Sequence, residues 1–191
     1  MESKKHTKIG RPRTIDRNHL LDLAEKIVVE HGATALTVDA LAKAAGITKG
    51  GVQYCFGTKD GLVDAMLTRW GNKFDKKVTT EKNGKTDRLS HIAAHIRVTR
   101  DSDPLGDSRF AAMLAALIPN SEHLADTRQW YRQQLSGLDI STEQGRNARL
   151  AFIANEGAFL LRSFKFFDLN EDEWQQIFRD IEKLLPPEID D

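Results

Sequence analysis

Residues Thr37–Phe56 read TVDALAKAAGITKGGVQYCF. Thr37 is a good N-cap for a short helix whose apolar face is Val38, Leu41, Ala42 and Ala45, and Gly46 stops it in a left-handed turn. Thr48 caps a second, very short helix with Val52 and Phe56 four apart on one side. Two such helices joined by Ala45-Gly46-Ile47-Thr48 have the arrangement of a helix-turn-helix, whose second helix lies in the major groove of DNA. Gly50 and Gly51 lower helix propensity by about 1 kcal/mol each relative to Ala. Their presence makes sense where bare backbone must approach a duplex closely. A plain corner between two core helices is the competing interpretation.

Helical periodicity continues on both sides. Leu20, Leu23, Ala24, Ile27 and Val28 form one stripe that ends at Gly32. Thr58 caps a long helix, with Asp60 in its first turn and Leu62, Met66, Trp70, Phe74 and Val78 along one face. The polar segment Val78–Thr86 follows. Further helices are predicted near 86–100, 107–118, 121–136, 141–167 and 171–185, with capping-box patterns at Ser141-x-x-Gln144 and Asn170-x-x-Glu173. No window alternates in the manner of a strand. The expected fold is all-α, with about nine helices: a basic arm over 1–13, a reading domain over 14–74 and a second helical domain over 75–191.

Composition narrows the class without naming it. The 191 residues hold 28 Lys+Arg and 28 Asp+Glu, so the total charge says nothing about partners. Residues 1–80 hold 14 basic against 9 acidic side chains, and residues 81–191 hold 14 against 19. The basic part is therefore the candidate polyanion-binding face. The single Cys55 forbids an intrachain disulfide and a thiolate metal cluster, which suggests a reducing compartment. The opening MESKKHTKIGRPR has no apolar run behind it and does not resemble a signal peptide. No stretch is long and apolar enough to span a membrane, and the expected location is cytoplasmic.

From about residue 14 to 74, and above all over GATALTVDALAKAAGITKGGVQYCFGTKDGLVDAML, the chain resembles the DNA-binding domain of the TetR/AcrR family of transcriptional regulators. The resemblance rests on Thr37-Val38-x-x-Leu41-Ala42-x-x-Ala45-Gly46, on Thr48-Lys49-Gly50, on Tyr54-x-Phe56 and on Thr58-Lys59-Asp60. It covers roughly the first third of the chain, with a fainter echo at Glu156-Gly157. It implies that Thr37, Thr48, Tyr54 and Lys59 grip phosphates, with the backbone at Gly50 close to the duplex. Lys49 reaches phosphate or a guanine edge. Gln53 is the candidate for base readout, since its amide pairs bidentately with adenine. The family commonly has other residues at Gln53 and Cys55, so no operator sequence carries over. Arg11 and Arg13, in Gly10-Arg11-Pro12-Arg13, resemble an arm that enters the minor groove; a solubility tail is the alternative. Cys55 is either a small packed residue or a thiol switch.

Such proteins usually dimerise on a palindrome. The helix over 141–167 is apolar on more than one side, and Leu150, Ile153, Gly157, Leu161 and Phe164 form one candidate interface face. Trp174, Ile177 and Ile181 on the last helix complete it. Trp70, Phe74, Phe110, Met113, Trp130, Tyr131 and Phe159 are candidates to line a cavity for a small effector of apolar or aromatic type, or to be plain core. Asn155 and Glu156 sit in the same apolar helix. A buried Glu156 carboxylate needs a partner. Arg149 or Arg162 would supply one, as would a cationic aromatic effector. His91 and His95, four apart, with His123, are candidate metal ligands, but solvated histidines fit better, so no metal or cofactor is expected. No catalytic motif is present, and an enzyme is not expected. The expectation is a dimeric, effector-released repressor of a double-stranded DNA operator. Alternatives are an activator, a nucleoid-associated factor, or a helical carrier or enzyme.

Overall fold

A computed structural model of the protein describes residues 15–117 and 124–187, and the described residues are helical with no strand. Asp16 opens α1 (Arg17–His31) by accepting the amides of Asn18 and His19. A 3₁₀ turn at Ala33–Ala35 leads to α2 (Val38–Ala45), capped by Thr37. Gly46 lies in the left-handed region at φ 63°, and the amides of Gly46 and Ile47 return to carbonyls of α2. Thr48 caps α3 (Lys49–Phe56), and Thr58 caps α4 (Lys59–Glu81). A Cβ at Gly61 would stand 2.2 Å from the Phe56 carbonyl oxygen. Only glycine lets α4 begin this close to the end of α3, and that approach positions Lys59 beside the reading helix.

Leu20, Leu21, Ala24 and Val28 of α1, Leu41 of α2, Val52 and Phe56 of α3, and Leu62 and Met66 of α4 close one core. α4 runs on without a break to Glu81, and the rest of the polar segment, residues 82–86, forms the turn before the next helix. Beyond it stand α5 (Arg88–Arg100), α6 (Pro104–Leu117), α7 (Leu124–Leu135), α8 (Glu143–Ser163) and α9 (Glu171–Glu182). A second core joins Ile92 and Ile96 of α5 to Phe152 of α8 and to Trp174, Phe178 and Ile181 of α9.

Three helix ends differ from expectation. α6 begins three residues early, because Asp103 accepts the amides of Leu105 and Gly106 and Pro104 takes the first helical position, where its missing N–H costs nothing. α8 is capped by Thr142, not Ser141, and ends at Ser163, where Lys165 turns left-handed at φ 56°. The capping box at Asn170 and Glu173 is formed, with both bonds at 3.0 Å.

Candidate functional site

Buried Val52 and Phe56 anchor one side of α3, which turns its other side outward. Gln53 is exposed, and Tyr54 retains 88% of its possible surface. Lys49, Gly50 and Lys59 are exposed around them, and the Thr37 and Thr48 hydroxyls sit at the helix starts, accepting from Ala40 and Gly51. Lys49 is not free: its Nζ lies 3.0 Å from Oδ2 of Asp39 on α2, a pairing the sequence reading missed. The two glycines of α3 have different reasons. A Cβ at Gly51 would press on Ile15 at 3.1 Å and Ile47 at 3.2 Å, an internal packing constraint. At Gly50 it would meet only Thr48 Oγ1, at 3.9 Å. Cys55 is half-buried and packs against the first core. Arg11 and Arg13 lie outside the described residues.

In the other half of the molecule, α4, α5, α6, α7 and α8 surround a cavity of about 600 Å³, to which α1 contributes Glu25 and Val29. Trp70, Phe74, Phe110 and Phe159 line it, together with Trp130, Tyr131 and Glu156. Two of the proposed lining residues lie elsewhere. Met113 is buried in the first core, packed among the helices of the reading domain, because α6 leans on that domain. Asn155 is fully buried behind the wall, its side-chain amide donating to Glu156 at 2.9 Å and to Thr99 at 3.4 Å.

Besides Asn155, Glu156 finds two partners within the chain, and none of the three is an arginine. His95 lies 2.9 Å from one carboxylate oxygen and the Tyr131 hydroxyl donates to the other at 2.9 Å. Burial, then the charge of Glu156 and the hydrogen bond to it, push the Tyr131 hydroxyl far above its ordinary range. Arg162 instead places its guanidinium 3.7 Å above the ring of Trp174, and Arg149 is exposed. The structure corrects the expectation of two solvated histidines: neither His91 nor His95 is exposed. His95 is buried, ringed by Phe74, Trp130 and Phe152 at centroid distances of 4.8, 5.8 and 5.0 Å. His91 donates to Gln134 at 2.6 Å, and burial lowers its pKa. His123 lies outside the described residues, among which no cluster suited to a metal ion occurs.

The other carboxylates that line this cavity, Asp75 and Asp107 among them, were not singled out in the sequence. Asp75 accepts from the Trp130 indole at 3.3 Å. Asp107 accepts from the Ser102 hydroxyl, and burial raises its pKa to about 6. Neither has a sequence signal, since their environments are built by residues on other helices.

On α8, Leu150, Ile153 and Leu161 are 53%, 56% and 45% exposed and share a face with Gly157. Phe164 is half-buried and stacks on Phe166 at 5.5 Å. Trp174 and Ile181 do not join this face: both are buried in the second core, facing Phe178 and α8, and Ile177 is half-buried against the same core. The strong amphipathicity of α9 is spent inside the subunit.

A helix-turn-helix at one end and a cavity lined mainly by α4 to α8 are the build of a helical DNA-binding regulator. Comparison with known proteins agrees. Residues 20–66 match the family model for bacterial regulatory proteins of the tetR family, and residues 90–186 match the model for the tetracyclin repressor-like C-terminal domain. The chain belongs to the tetR family of transcriptional regulators. The HTH-type transcriptional regulator BetI of Burkholderia ambifaria is 27% identical over 125 residues, 61% of this chain and 64% of that protein. The chain thus spans less than two thirds of the length of this curated relative. Among solved structures, the multidrug binding protein EbrR complexed with malachite green superposes with a TM-score of 0.64 at 21% identity, covering 91% of this chain and 99% of that one. The fatty acid degradation regulator FadR of Bacillus halodurans superposes with a TM-score of 0.59 at 15% identity, covering 90% of this chain and 96% of that one. Among the described residues no helix is long and apolar enough to cross a membrane.

Proposed function

We propose that the protein is a homodimeric repressor that grips a palindromic DNA operator through α3 and is released when a small apolar or aromatic molecule enters the cavity. The observation that carries this reading is the two-sided character of α3. Val52 and Phe56 are locked in the core while Lys49, Gly50, Gln53 and Tyr54 are offered outward. Thr48, Thr37 and Lys59 supply phosphate contacts around that surface, and Arg11 and Arg13 extend it into the minor groove. Base edges are then left to Gln53 and Lys49.

One helix-turn-helix reads few base pairs, so two copies are needed on half-sites about 34–36 Å apart or a multiple of that. The exposed face of Leu150, Ile153, Gly157 and Leu161, bordered by Phe164, supplies the isologous contact. Release follows from shared helices. α4 and α6 line the cavity and also pack into the core of the reading domain. A ligand that prefers one arrangement of these helices shifts the spacing of the two reading helices. A hundredfold preference corresponds to nearly 3 kcal/mol of coupling. The small molecule in the EbrR structure supports the use of such a cavity for an effector. The protein acts in the cytoplasm.

Selection from a random duplex library, followed by footprinting, tests the reading. An inverted repeat protected by a dimer is expected, with Ile153→Glu giving a monomer of much weaker operator affinity. A particle without salt-dependent duplex affinity, or one that binds as a monomer, overturns it.

A further inference from the structure

The same cavity carries information about the charge of its ligand; the inference rests on its being the effector site. Seven Asp or Glu side chains line it against three Lys or Arg. One of those three, Lys73, is already drawn to Glu25 at 3.3 Å. The basic minority therefore leaves a negative interior.

The carboxylates are tied to the aromatic wall in a consistent way. The Trp70 indole donates to Glu25 at 2.9 Å, the Trp130 indole to Asp75 at 3.3 Å, and the Tyr131 hydroxyl to Glu156 at 2.9 Å. Each donor is the polar edge of a ring that lines the cavity. An N–H or O–H leaning on an anion pushes electron density into its ring, which makes the ring face a better seat for positive charge. Phe110 continues the wall, its ring centroid 5.9 Å from that of Trp70 and 6.2 Å from that of Phe159.

Asp107 adds a second, independent line. It is half-buried, and among the described residues the Ser102 hydroxyl donates to its carboxylate. Arg162 and Lys77 act on it only through space, Asp103 opposes them, and desolvation outweighs them all. Among the described residues no cation pairs directly with this half-buried carboxylate. A metal ion does not answer that need, because the described residues provide no cluster of ligands for one.

We propose that the cavity takes a flat aromatic organic cation, held between ring faces with its delocalised charge among Asp75, Asp107 and Glu156. The two superposing regulators show why the fold alone does not settle this: one is a multidrug binding protein and the other a regulator of fatty acid degradation. Here the residues of the wall decide, and an acyl chain with an anionic head would meet like charge.

Three probes test the class on the full chain without DNA, since planar cations also enter duplexes. They are 10-methylacridinium, its neutral ring analogue acridine at pH 8.5, and the anion 1-anilinonaphthalene-8-sulfonate, each titrated by tryptophan quenching. Methylacridinium is expected to bind at least tenfold tighter than acridine, and the sulfonate most weakly. Asp107→Asn should cost the cation several-fold more affinity than it costs acridine. Asp75→Asn, on a different helix, should act in the same direction and keeps the test readable if the first variant folds poorly. Equal or tighter binding of acridine, tightest binding of the sulfonate, or no binding by any probe overturns the proposal. Operator affinity, measured separately without probes, tells whether the regulator reading stands or falls with it.

Discussion

Lys49 Nζ stands 3.0 Å from Asp39 Oδ2, so the first residue of the reading helix is ion-paired to the helix before it. Both side chains are exposed, and such a pair contributes only about 0.2–1 kcal/mol, so a phosphate competes for Lys49 readily. Asp39 therefore works against the duplex, both as a negative charge on the reading surface and as the partner that Lys49 must leave. Asp39→Asn is expected to tighten duplex binding several-fold at low salt and to steepen the salt dependence by roughly one unit. Titrations over a range of KCl concentrations check this. Unchanged or weaker binding would place Asp39 away from the DNA.

Gln53 and Lys59 are expected to fail differently when truncated. Gln53→Ala should relax preference at one base position per half-site, at a cost of about 1–3 kcal/mol for the preferred base only. Lys59→Ala should weaken all sequences alike and flatten the salt slope by about one unit. Binding to a panel of single-base operator variants separates the two. The same uniform loss from both would refute the division of labour.

Gly50 separates folding from function. A Cβ there meets only Thr48 Oγ1 at 3.9 Å, so Gly50→Ala costs nothing sterically within the chain. It should raise stability by about 0.5–1 kcal/mol through helix propensity. If the duplex backbone comes close at this point, the same methyl group should lower operator affinity at least tenfold. Thermal melting and a binding titration on one preparation test both halves, and a variant that is more stable with full affinity removes Gly50 from the interface.

Asp107 makes stability pH-dependent in an unusual direction. Burial raises its folded pKa to about 6 from an ordinary 3.8. Between these values the folded state holds the proton more tightly than the unfolded chain does. The associated stability is fully present below pH 3.8 and is lost as pH rises through 6. Asp107→Asn should therefore be more stable than the parent above pH 7, by something of the order of 2 kcal/mol, with the difference vanishing near pH 4. Denaturant midpoints of parent and variant across pH test it; a constant difference at all pH values would show that Asp107 is not buried as a charge.

The parts of this molecule that were legible in the sequence are those set by local rules. Caps at Thr37, Thr48 and Thr58, the stop at Gly46, and the 3.6-residue stripes placed α1 to α4 within a residue or two of their observed bounds. Each signal involves residues at most four apart, whose interactions form in the helix itself. Further along, the sequence starts a helix near 107, whereas Asp103, by accepting the amides of Leu105 and Gly106, makes Pro104 its first residue.

Side chains whose neighbours come from distant segments were not legible. The apolar face of α9 was equally good for a partner subunit or for the subunit's own core, and only the packing of Trp174, Phe178 and Ile181 against α5 and α8 chose the core. Glu156 needed a partner, but that it took His95 and Tyr131, 61 and 25 residues away, depended on how α5, α7 and α8 came together. Local hydrogen bonding and periodicity determined the helices and the outward residues of α3. Which polar group met which inside the cavity was decided by tertiary packing, because a buried charge is satisfied by whatever the fold brings within reach rather than by what stands next to it in the chain.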